Sequence, residues 1–222
     1  MLDKLAKQTA IYGISTIVGR FLSYLLTPYY TRVFGLESYG VITDVYALIP
    51  FALVVLTMGM ESSYFRFSAK AEAAGGDVAA AKRRLFATVW GITLLAATVF
   101  FAAIVIFRHP VSAAMGEVYA RNPSYVVLVA AIILFDVGAC IPFSRLREQG
   151  KAKKFVTLKL FNIVLQTGFA FGFGAAGLFS SEFGVGWAFV ANLAASVLTF
   201  VAMMTTISGV RPRIDWVLLG SV

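Results

Sequence analysis

Arg20 stands in the middle of an apolar segment, about 9–34, and shares a helical face with Thr16, Tyr24 and Thr27 at spacings of four, four and three. A charge at bilayer depth costs roughly 2.5 to 3.5 kcal/mol on insertion scales, so a guanidinium there faces protein or a water-filled cavity rather than lipid. The threonines alone fit a packing face, their hydroxyls bonding back to their own carbonyls. Arg20 is what turns the stripe into a cavity wall, because its planar fork of donors suits phosphate oxygens.

Three carboxylates interrupt other apolar segments. Asp44 and Glu61 fall near opposite ends of a stretch at about 39–67. A straight helix would turn them to different faces, and Pro50 between them is expected to bend it. Asp136 lies near the middle of about 125–146, with Cys140, Ser144 and Arg147 following along one side. It can pair with Arg20, the preferred reading, or titrate as a coupling group for H+ or Na+. Lys159 and Asn162 stand one helical turn apart at the start of about 158–180. Lys159 reads equally as a cavity cation and as a side chain snorkelling to the surface. Arg66 follows Glu61 by five positions, a poor pairing distance, and reads as a topology anchor.

Enzyme chemistry is not expected. Cys140 is the only cysteine and His109 the only histidine, which excludes an intrachain disulfide and offers no metal cluster. Gly75 and Gly76 form a connector rather than a phosphate loop, since no strand precedes them. No resident cofactor is implied.

The elements that must carry these residues are membrane helices. Hydrophobic residues make up 59% of the chain and charged residues only 14%, and the apolar stretches are far longer than a soluble core helix requires. A span needs about 20 apolar residues. Six segments meet that length: about 9–34, 39–67, 85–107, 125–146, 158–180 and 184–208. The first is read as a retained helix rather than a signal peptide, because Arg20 interrupts it and no small-residue cleavage site follows. The fold class is therefore all-α, a polytopic transmembrane bundle.

With the N-terminus inside, Lys70, Lys82, Arg83 and Arg84 fall on cytoplasmic segments, as do Arg145, Arg147, Lys151, Lys153 and Lys154. The external connections hold Arg108 and Arg121, with Arg32 beside the first turn. Six helices with both termini cytoplasmic satisfy this bias. The net charge of +8 thus marks topology and attraction to an anionic inner leaflet, not nucleic acid, which would require a basic face on a soluble domain.

Several motifs carry a family resemblance. Ile17-Val18-Gly19-Arg20-Phe21-Leu22, Pro28-Tyr29-Tyr30-Thr31-Arg32-Val33-Phe34-Gly35, Tyr39-Gly40 and Asp44 resemble the opening of polysaccharide flippases in the multidrug/oligosaccharidyl-lipid/polysaccharide exporter superfamily. Pro142, Arg145 to Arg147, Gln149 to Phe155 and Lys159 to Asn162 are similar to that family's link between its fourth and fifth helices. The resemblance implies a transporter in the bacterial cytoplasmic membrane. Its substrate would be an oligosaccharide on a polyprenyl diphosphate, moved from the inner to the outer leaflet by alternating access through a cationic cavity.

Arg20 and Asp44 match charged positions of related peptidoglycan-precursor flippases. Such transporters usually have twelve to fourteen helices, so residues 1–213 correspond to an N-terminal six-helix lobe and 214–222 to the start of a linker. A second lobe is then expected as a partner, from the same full-length chain or another copy. Two alternatives remain: a cation-coupled multidrug exporter of the same superfamily, and a non-transporting membrane assembly protein whose buried charges only fix helix packing.

Overall fold

The computed structural model describes residues 2–207, 210 and 212–215, and for 2–16, 18–25 and 37 it describes the backbone alone. Among the described residues every regular element is a helix. In order they are α1 (Leu2–Thr57), α2 (Met60–Ala74), α3 (Val78–Ile106), α4 (Arg108–Met115), α5 (Glu117–Arg121), α6 (Pro123–Glu148), α7 (Ala152–Ala175), a single 3-10 turn at Leu178–Ser180, and α8 (Gly186–Thr206).

Among the described residues five helical stretches are long and apolar enough to cross a membrane: Ser38–Thr57, Val78–Ile106, Pro123–Glu148, Ala152–Ala175 and Gly186–Thr206. The last four overlap the expected segments 85–107, 125–146, 158–180 and 184–208, whereas the first covers only the opening part of 39–67. The expected first span, 9–34, falls mostly on positions whose side chains lie outside the described residues. The protein is a multi-pass helical bundle, and large apolar side chains such as Phe51, Val54, Val99, Val164 and Val201 point outward, as a lipid-facing surface requires.

Local sequence explains the boundaries. α1 is kinked at Gly35, whose φ of 72° and ψ of 175° fit glycine's missing Cβ. α3 starts at an Asp77 cap whose carboxylate accepts the Ala80 amide at 3.0 Å. α6 opens on Pro123, which needs no amide partner there, and closes on Arg145 and Arg147, whose charges suit a helix C-terminus.

Two expectations change. The stretch 39–67 is not one helix bent at Pro50. The chain keeps helical dihedrals through Pro50 and breaks instead at Met58 and Gly59, both left-handed with φ of 47° and 69°. Two successive left-handed residues end a right-handed helix and set the next one on a new course. The connection 108–123 also holds the short helices α4 and α5 rather than an irregular loop.

α6 is the axis of the bundle, packed between α3 and α8. The Trp90 indole N–H donates to the Gly138 carbonyl at 2.9 Å, tying α3 to α6. A Cβ at Gly138 would sit 3.0 Å from the Phe200 ring, so the missing side chain admits α8. Close approach at small residues is how helices associate where no hydrophobic drive separates protein from lipid. On the other side, the Tyr29 hydroxyl occupies the space a Cβ of Gly174 would need, which docks α1 on α7.

Candidate functional site

A cavity of about 450 Å³ lies among the second limb of α1, the start of α2, and α6, α7 and α8. Its apolar wall includes Ile49, Pro50, Leu53, Phe143 and Phe155. Its polar groups are Glu61 from the first turn of α2, Asp136, Cys140 and Arg147 from α6, Lys159 and Asn162 from α7, and Ser196 and Thr199 from α8. The spacing of Asp136, Cys140 and Arg147 places them on one side of α6, as the helical period demands.

The charges are answered inside the cavity. Arg147 forms an ion pair with Glu61, and its guanidinium lies 5.5 Å from the Phe65 ring centre and 5.7 Å from that of Phe155. Arg147 also donates to the Ser144 hydroxyl at 3.2 Å, and the Cys140 thiol sits 3.8 Å from the second Glu61 oxygen. Asp136 lies beside Ser196 and in the field of Lys159. The Lys159 ammonium stands 4.5 Å from the Phe143 ring centre, within cation–π range. The Asn162 amide donates to the Thr199 hydroxyl at 3.1 Å, which in turn donates to the Ala195 carbonyl at 2.7 Å. Farther along α7, Gln166 donates to the Tyr46 hydroxyl at 3.3 Å.

Two carboxylates therefore oppose two cations, so the described residues leave the cavity near neutrality rather than strongly cationic. Such a wall can hold a polar solute by hydrogen bonds from Asn162, Ser196 and Thr199. It can bind a charged solute when that solute displaces one member of a pair.

Of the expected site residues, Glu61, Asp136, Lys159 and Asn162 meet here. Asp44 does not. It is exposed on α1 close to Tyr119 of α5, where burial and then the Asp44 charge push the Tyr119 phenol's pKa up. Thr27 is exposed, and Arg66 is exposed with its guanidinium 6.0 Å from the Phe67 ring centre, as an anchor would be. The side chains of Thr16, Arg20 and Tyr24, and with them the expected Arg20–Asp136 pair, lie outside the described residues.

Sequence reasoning missed the partnership of Arg147 with Glu61 and the contribution of Ser196 and Thr199. Those two hydroxyls, one turn apart on a helix without charge, were the available signal.

Comparison with protein families brings one finding: the model of a family described as polysaccharide biosynthesis protein matches residues 5–213. Comparisons with curated proteins and with solved structures yield no match.

Proposed function

The chain belongs to the polysaccharide biosynthesis protein family, and from that premise we propose that it flips a lipid-linked oligosaccharide, carried on a polyprenyl diphosphate, from the inner to the outer leaflet. Family membership together with five membrane-length helices among the described residues makes it a membrane protein of polysaccharide biosynthesis or export. The observation that carries the finer reading is the cavity among α1, α2, α6, α7 and α8. Ionisable groups inside a membrane bundle mark substrate or ion pathways, and here Asp136, Lys159 and Asn162 project into one space.

In this reading the empty cavity holds Lys159 against Asp136. An arriving diphosphate draws Lys159 away and takes the Arg20 fork, while Asn162, Ser196 and Thr199 bond sugar hydroxyls. Alternating access proceeds against a second six-helix lobe, belonging to the same full-length chain or to another copy. The protein acts in the bacterial cytoplasmic membrane, without covalent catalysis or a resident cofactor. Asp136 is the place where a proton or sodium ion would couple.

The test is flipping of a fluorescent polyprenyl-diphosphate oligosaccharide by the intact native protein in liposomes. Arg20→Ala and Lys159→Gln should each abolish it while the protein stays folded and inserted. Undiminished flipping by both variants would remove the cationic-wall mechanism.

Asp136 and Glu61 support a second reading, a cation-coupled exporter of organic cations. Under that reading Arg20→Ala spares transport of a cationic dye and Asp136→Asn abolishes it. The opposite pattern favours the lipid-linked substrate.

A further inference from the structure

A second polar cavity, about 500 Å³, opens where α2, α3 and the C-terminal turn of α6 meet. Its acids are already engaged. Glu148 accepts from the Ser68 hydroxyl at 3.0 Å and the Tyr64 hydroxyl at 3.4 Å, and Lys82 bridges Glu148 and Glu72. Its remaining cations, Arg83, Arg145 and Lys151, form no ion pair among the described residues.

Arg145 is the informative one. Its guanidinium lies 4.4 Å from the Phe86 ring centre, and Phe86 in turn stacks on Trp90, so its plane is held by packing. Its Nη1 is buried and has no hydrogen-bond partner among the described residues. A buried donor left unmade is costly, more so on a charged group. Arg145, Gln149 and Lys151 also line a smaller adjoining cavity of about 190 Å³ beside Thr206. A fixed guanidinium with a free donor, flanked by a lysine and a second arginine, is complementary to the oxygens of a phosphate group.

We propose that this pocket binds the phosphate headgroup of an anionic phospholipid. The pocket sits at the end of the bundle where the basic residues of the α2–α3 and α6–α7 connections gather, the end that the charge bias assigns to the cytoplasmic leaflet. Anionic lipids enrich that leaflet, and basic pockets between spanning helices suit their headgroups. The site is separate from the cavity on the other side of α6, and it does not depend on what that cavity transports.

Native mass spectrometry of the intact protein in detergent, supplied with phosphatidylglycerol or phosphatidylcholine at equal concentration, reads the bound lipid directly. Phosphatidylglycerol should be retained about tenfold over phosphatidylcholine, and Arg145→Gln should erase that preference, the loss of one charged hydrogen bond being of this size. Arg83→Gln, at an exposed position with little risk to folding, should weaken the preference in part. Arg32→Gln, exposed and outside the pocket, should leave it intact.

Retention of phosphatidylglycerol against millimolar inorganic phosphate supports a lipid headgroup. Displacement by inorganic phosphate alone overturns the lipid assignment in favour of a soluble phosphate compound. Equal retention of the two lipids, or a preference unchanged in both Arg145→Gln and Arg83→Gln, overturns the site.

Discussion

Arg145 and Arg147 stand two residues apart at the end of α6 and meet different surroundings. Arg147 turns into the cavity shared with α2, α7 and α8 and is neutralised by Glu61. Arg145 turns toward α3, rests on Phe86 and keeps a buried donor without a partner among the described residues. Two residues rotate a helix by about 200°, so one short sequence serves two separate spaces. In the first space Arg147 is paired with Glu61, and Lys159 lies in the field of Asp136 without a direct ion pair among the described residues. In the second the carboxylates are already bound by Lys82, Ser68 and Tyr64, and cationic groups are left over. Pairing suits a cavity that must close and reopen around a passing solute, since the protein supplies its own counter-ions when empty. Surplus charge suits a site kept occupied by an abundant anion.

The contrast breaks most visibly in transport. Lys159→Met leaves Asp136 facing the cavity without the cation nearest to it, and if a passing diphosphate relies on that cation for one charged hydrogen bond, flipping by the intact native protein should fall about tenfold or more. Arg145→Gln should leave the rate near that of the parent in liposomes of neutral lipid. Equal losses from the two variants would erase the distinction between a working cavity and a lipid pocket.

Stability gives the next largest effect. Lys82→Met removes the cation that answers the mostly buried Glu148, and charged hydrogen bonds of this kind contribute about 1.5–3 kcal/mol. Thermal unfolding in detergent should shift down clearly for Lys82→Met and little for Arg145→Gln. A larger drop for Arg145→Gln would mean that Arg145 is structural and its free donor incidental.

A double-mutant cycle on Glu61→Gln and Arg147→Gln sharpens the paired side. Both side chains are about a third exposed, so solvent weakens the pair, and a coupling of about 1 kcal/mol is expected from unfolding midpoints. A coupling near zero would make the cavity's closure depend on Lys159 and Asp136 alone. The smallest effect is that of salt. Raising ionic strength from about 0.1 to 1 M shortens the screening length from about 10 to 3 Å, so phosphatidylglycerol preference should decline, and the Glu61–Arg147 coupling should decline less because its charges are in direct contact. Equal salt sensitivity of both would place the two regions in the same solvent environment.

Much of the site was legible because charge inside an apolar run is conspicuous without any knowledge of the fold. Glu61, Asp136, Lys159 and Asn162 stand out that way, and they converge. Asp44 stands out equally, yet its position on α1 turns it to the surface beside Tyr119. The break at Met58 and Gly59 was hidden behind Pro50. A proline announces a helix defect in sequence, whereas a left-handed methionine carries no such signal in its residue type. That break redirects α2 and brings Glu61 to Arg147, 86 positions away.

The sequence by itself determined that this is a multi-pass helical membrane protein, and it marked the apolar runs at 85–107, 125–146, 158–180 and 184–208 that the helices overlap, because hydropathy and chain length are local properties that lipid reads directly. Their outer limits at Val78–Ile106, Pro123–Glu148, Ala152–Ala175 and Gly186–Thr206 differ from those runs by up to about two turns. The tertiary structure decided which charges are paired and which are left over. That outcome depends on the rotation of each helix about its axis and on close approaches at Gly138 and Gly174, where the absence of a side chain sets the distance between neighbours. No window of sequence contains those rotations, because each is settled by residues on other helices.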